Sequence, residues 1–115
     1  MRTAVTVAFT FEAAHQLPWH PGRCRELHGH GYRLEVTVEG PLTEQGIVVY
    51  FDALRAHVER DVLARYDHRY LNDLLDNPTA ELIAHDIWKH LEATGTRLAR
   101  IRLWETPDSR VELTP

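Results

Sequence analysis

Residues 5–15 read Val-Thr-Val-Ala-Phe-Thr-Phe-Glu-Ala-Ala-His, and residues 28–38 read His-Gly-His-Gly-Tyr-Arg-Leu-Glu-Val-Thr-Val. In the first run the apolar residues Val5, Val7, Phe9, Phe11 and Ala13 carry odd numbers, and His15 continues the series. In the second, Tyr32, Leu34, Val36 and Val38 carry even numbers, and His28 and His30 precede them in phase. A period of two is the mark of a strand with one buried face. Paired as an antiparallel hairpin, the two runs place the end of the first beside the start of the second. The three imidazoles then converge at one end of one sheet face. Three neutral imidazoles leave a tetrahedral cation one open position for water or substrate, so the pattern predicts a metal site. Zinc is the first expectation, although nickel, copper and iron also accept imidazole.

Working outward from this hairpin, strands are predicted at 3–13 and 30–39, joined by a polar, Pro/Gly-marked loop over 16–27 that is long enough to suggest function. Gly40-Pro41 ends the second strand, and Ile47 to Phe51 reads as a short β-prone run. Asp52 is placed to cap a helix whose apolar residues are Leu54, Val58, Val62 and Tyr66. A polar stretch from Asp67 to Asn77 precedes a second helix, begun by Pro78 and Thr79, striped by Ile83, Ile87 and Leu91, and ended by Gly95. Strands follow at 98–106 and, after an Asp-Ser turn, at 110–113. The order β-β-(β)-α-α-β-β predicts an α+β domain over residues 1–115, with an antiparallel sheet and two helices on one face. Its free sheet edges call for cover, and oligomerisation is the natural form of it.

Composition narrows the function classes. At 115 residues, 43% hydrophobic and 26% charged, the chain suits one ordinary globular domain. A net charge of −4 argues against nucleic-acid binding through bulk electrostatics. No apolar run reaches membrane-spanning length, and the N-terminus enters the alternating pattern directly, without a signal-peptide core. The single cysteine excludes an internal disulfide and fits a reducing, cytoplasmic setting.

Three further features carry chemistry. Cys24 lies four residues before His28 in Cys-Arg-Glu-Leu-His-Gly-His. It reads as a fourth ligand closing a structural centre, as a thiolate favoured by Arg23 and Arg25, or as a buried structural residue. Asp67-His68 is either a general-base pair with the carboxylate orienting the imidazole, or a helix-end decoration. Glu105 ends the otherwise apolar face of Ala99, Ile101 and Leu103. Such a carboxylate needs a partner: an internal arginine, or a ligand with a row of N–H donors such as the amino-pyrimidinone edge of a pterin or guanine.

Together these segments resemble the 6-pyruvoyl-tetrahydropterin synthase family, and within it the 6-carboxy-tetrahydropterin synthases of deazapurine (queuosine) biosynthesis. Phe11–Leu17 is similar to the family's first ligand motif, and Cys24–His30 to its Cys-x₃-His-Gly-His motif with the short gap of the carboxy branch. Asp67–Asn72, Asn77–Glu81 and Glu105-Thr106 resemble the later motifs in order. The resemblance implies a tunnelling fold (T-fold) whose ββααββ subunits join edge to edge as trimers or hexamers, with sites at subunit interfaces. It implies zinc on His15, His28 and His30, catalysis by Cys24, Asp67 and His68, and pterin contacts from Glu105, Thr79 and Glu81. The implied substrate is 7,8-dihydroneopterin triphosphate, with Arg23 or Arg25 near the triphosphate. Pyruvoyl-tetrahydropterin synthase or dihydroneopterin aldolase activity on the same scaffold, and a non-catalytic zinc module, are the alternatives. One departure stands out: Tyr50 precedes Phe51 where the family usually carries Asp.

Overall fold

The computed structural model describes all 115 residues. Its longest elements are the two strands of the opening hairpin, β1 (Ala4–His15) and β2 (His28–Glu39). They pair antiparallel in unbroken register from Ala4↔Glu39 to His15↔His28, so both strands run through the histidines rather than stopping short of them. The connecting loop folds back on itself, with the Leu17 N–H donating to the Cys24 carbonyl at 2.8 Å and a short 3₁₀ turn at Arg23–Arg25.

The helical layer follows as α1 (Phe51–Val58), a π-helical turn (Glu59–Leu63) and α2 (Ala64–Tyr66). The wide turn has a reason in the sequence. Leu54, Val58, Val62 and Tyr66 recur every four residues, and on a 3.6-residue α-helix each such step overshoots by about 40°. The π turn absorbs the surplus, and all four side chains are buried. The predicted strand at Ile47–Phe51 does not form, because Phe51 opens α1 and residues 47–50 are irregular. Asp52 is not the cap either. Tyr50 holds the N-cap position without a side-chain hydrogen bond, and Asp52 sits in the first turn.

β3 (Arg69–Tyr70) was not foreseen, and it pairs parallel to β1 at Ala13 and Ala14, so the sheet is mixed rather than wholly antiparallel. Two residues carry no periodicity, which hides such a strand from sequence reading. α3 (Ala80–Glu92) starts as expected at Thr79, whose hydroxyl accepts the Leu82 N–H at 3.1 Å. Gly95, at φ +86°, takes the left-handed conformation beyond the helix end. β4 (Leu98–Thr106) and β5 (Ser109–Leu113) complete a five-stranded sheet of order β3-β1-β2-β4-β5, with the turn at Pro107-Asp108.

The odd-numbered face of β1, the even-numbered face of β2 and Ile101 and Leu103 of β4 pack against Leu54, Val58, Val62, Tyr66, Ile83, Ile87 and Leu91. Each fully buried aliphatic side chain stabilises this layer by about 1.5–3 kcal/mol relative to exposure. The opposite face carries no helix and is held by cross-strand charge pairs, such as Arg102 with Glu112 at 2.6 Å and with Glu35 at 3.7 Å.

Candidate metal centre and its surroundings

The strand register delivers the three imidazoles together. His15 and His28 are directly paired, and His30 is opposite Ala13, so all three leave the same face. The ring centroids of His15 lie 4.6 Å from His28 and 5.1 Å from His30, and those of His28 and His30 are 4.8 Å apart. One ligand nitrogen from each falls within 4.8 Å of the others, a grouping able to hold a metal ion. The Nε2 atoms of His15 and His28 are 3.0 Å apart.

The outer nitrogens settle the tautomers. His15 Nδ1 lies 2.7 Å from the Pro78 carbonyl, and His28 Nδ1 lies 2.7 Å from the Glu26 carbonyl. A carbonyl only accepts, so each Nδ1 carries the proton and each neutral ring turns an Nε2 lone pair inward. Lone pairs converging around the wholly buried His15 repel one another unless a cation lies between them. Burial, with His15 and His28 alongside, lowers the pKa of His30, partly opposed by Glu105. The donor set and its protonation therefore fit a divalent cation.

Support for His15 comes from residues to which the sequence motif alone assigned no job. The Asn72 side chain accepts from the Gln16 N–H and donates to the Gln16 carbonyl, both at 2.9 Å, as a neighbouring strand would. Trp19 Nε1 donates to Asn77 Oδ1 at 2.9 Å and ties the loop to the segment that supplies the Pro78 carbonyl. Backbone acceptors leave no trace in residue identity, so neither carbonyl was legible beforehand.

The other predicted residues are distributed around this cluster. Cys24 is half-buried in its 3₁₀ turn and does not join the metal-binding grouping. Arg23 and Arg25 beside it are exposed. Glu105 reaches the cluster, with Oε1 3.4 Å from His15 Nε2 and 3.6 Å from His30 Nε2. Tyr32 lies on the same face, stacked on Phe11 at 5.0 Å, and its buried hydroxyl has no partner. Burial first, and Glu105 second, push its pKa up. Thr79 caps α3, and Glu81 is exposed in the first turn of that helix.

Asp67 and His68 form their pair, Oδ1 to Nδ1 at 2.9 Å. The Glu12 N–H donates to the same Asp67 oxygen at 3.0 Å, and the His68 N–H donates to the Glu12 carbonyl at 2.6 Å. These bonds hold His68 at φ 60°, a left-handed conformation unusual for a residue with a side chain. The Glu12 N–H, and then His68, keep the Asp67 carboxyl below its ordinary pKa. His68 borders an open depression of about 480 Å³ with Glu12, Ala14, Gly29, His30, Gly31, Arg69 and Tyr70; Cys24 is not among its lining residues.

Residues 4–115 match the 6-pyruvoyl tetrahydropterin synthase family over nearly the whole chain. The chain belongs to this family. It is accordingly a T-fold protein and a lyase-type enzyme. A Synechocystis protein named 6-carboxy-5,6,7,8-tetrahydropterin synthase is 47% identical over 94 residues, covering 76% of this chain and 73% of that one. A Pyrococcus furiosus protein named dihydroneopterin monophosphate aldolase is 37% identical, covering 98% of each. Among solved structures, Caenorhabditis elegans 6-pyruvoyl tetrahydropterin synthase superposes with a TM-score of 0.88 at 22% identity, covering 100% of this chain and 96% of the other. No helix is long and apolar enough to cross a membrane.

Proposed function

We propose that this family member, one domain over residues 1–115, is a zinc-dependent 6-carboxy-5,6,7,8-tetrahydropterin synthase. It converts 7,8-dihydroneopterin triphosphate and water to 6-carboxytetrahydropterin, acetaldehyde and triphosphate, in the cytoplasm and on the way to queuosine or another deazapurine. The convergence of three imidazoles, two of them with Nδ1 locked to a carbonyl and Nε2 turned inward, is the observation that carries the reading. The relatives named for this activity support the choice of reaction.

His15, His28 and His30 would hold the zinc. The chemistry it would supply there is Lewis-acid polarisation of the pterin's side-chain hydroxyls, which would acidify the adjacent C–H bonds. His68 moves protons through Nε2, because Asp67 engages its Nδ1 at 2.9 Å and keeps the proton there. Cys24 acts as the second proton carrier, and its place outside the ligand grouping leaves its thiol available for that work. Glu105 accepts the N–H row of the pterin ring, Thr79 and Glu81 border the ring, and Arg23 or Arg25 meets the triphosphate. Asp67 and His68 sit beside Glu12 at the β3 edge, whereas Cys24 sits in the loop after β1. The reading therefore completes each site across a subunit interface in a homotrimer or hexamer, which also covers the free sheet edges.

The aldolase-named relative favours one second reading, cleavage of the side chain to a 6-hydroxymethyl pterin. Incubating pure protein with 7,8-dihydroneopterin triphosphate and identifying the products by mass separates the two. Carboxytetrahydropterin with acetaldehyde is the expected result. A hydroxymethyl or pyruvoyl pterin alone rejects the proposal.

A further inference from the structure

Resting on the metal reading above, we infer that Glu105 is the fourth ligand of the substrate-free metal centre, and that substrate binding displaces it. The position assigned to substrate is thus closed by the protein's own carboxylate until the pterin arrives.

The distances come first. With ligand bonds of about 2.0–2.1 Å, neighbouring ligand atoms of a tetrahedral centre stand about 3.3 Å apart. Glu105 Oε1 is 3.4 Å from His15 Nε2 and 3.6 Å from His30 Nε2, while the His15 and His28 nitrogens are 3.0 Å apart. The carboxylate oxygen therefore stands at the spacing of a neighbouring ligand from two of the three imidazoles.

The proton inventory points the same way. His15 Nδ1 spends its proton on the Pro78 carbonyl, which leaves Nε2 a lone pair in a ring that is wholly buried. A carboxylate oxygen facing that lone pair gains nothing without a cation between them. A hydroxyl donor lies nearby. The β2–β4 ladder runs to Arg33↔Trp104, with Tyr32 and Glu105 the next residue on each strand, and the Tyr32 hydroxyl is buried without a hydrogen-bond partner. Glu105 leaves that donor unused and sits on the imidazoles instead. Its side chain is 29% exposed, so it remains free to swing away when a better ligand enters.

The test is binding of Co²⁺ to metal-free wild type, Glu105→Ala and Glu105→Gln, read by competition titration and by the ligand-field spectrum without substrate. Loss of a direct ligand predicts affinity in Glu105→Ala lower by more than the roughly 10- to 100-fold that losing an outer-shell partner costs, with a ligand-field spectrum different from wild type. Adding neopterin to wild type shifts its spectrum as the carboxylate leaves. Glu105→Gln keeps the side-chain shape and supplies the comparison should the alanine variant fold poorly. Equal affinity and identical spectra in wild type and both variants overturn the inference while leaving the three-histidine site intact. A His15→Ala protein that binds Co²⁺ as tightly as wild type overturns the metal reading itself.

Discussion

Tyrosines apart, two polar side chains lie buried in this protein, one near each end of the opening hairpin: Thr37 at 4% exposure and His15 at 0%. Thr37 is answered from within, its hydroxyl 2.7 Å from that of Thr6 on the paired strand. His15 is answered on one nitrogen only; the other faces His28 and Glu105, neither of which offers it a proton in the neutral tautomers. Strand pairing and register are the same at both ends. The two groups leave opposite faces of the hairpin, and they differ further in whether the buried group finds its partner in the chain; on the proposed metal reading, that separates a structural polar residue from a functional one.

The most severe way to break the contrast is to remove the unanswered group. His15→Ala is expected to lower metal affinity by more than about 100-fold and to abolish turnover, as measured by metal analysis and product assay. Cys24→Ala comes next, with turnover falling by about 10²- to 10⁴-fold while metal content and thermal melting stay at wild-type values. Loss of metal in that variant would return Cys24 to the ligand set and favour the structural zinc module. At the answered end, Thr6→Val strips the Thr37 hydroxyl of its partner and costs about 1–3 kcal/mol in denaturant unfolding, with metal binding and activity unchanged. A drop in metal content there would erase the distinction between the two ends.

The smallest effect concerns the first N–H groups of the two helices. α3 begins with Thr79 accepting the Leu82 N–H, whereas Tyr50 offers α1 no side-chain acceptor. Tyr50→Asp is expected to stabilise the fold by about 0.5–2 kcal/mol, the usual worth of an N-cap, with no change in turnover. This assigns the departure at Tyr50 to helix entry. A change in kcat instead would move that position into the chemistry.

The hairpin, the faces of both strands and the convergence of the three imidazoles are legible in the residues alone, because a two-residue period assigns every side chain to a face. So are the Thr79 start, the Gly95 end and the limits of β4, where local propensity and tertiary structure agree. The rest depends on how the elements pack. The β-prone Ile47–Phe51 run yielded to helix entry at Phe51, and β3 formed because β1 offered it an edge. The Pro78 and Glu26 carbonyls, which fix the imidazole tautomers, carry no signal in residue identity. Glu105 announced through its parity that it needed a partner, but parity does not measure reach. The partner was set by three strands packing at one register, where a carboxylate oxygen arrives within 3.4 Å of His15.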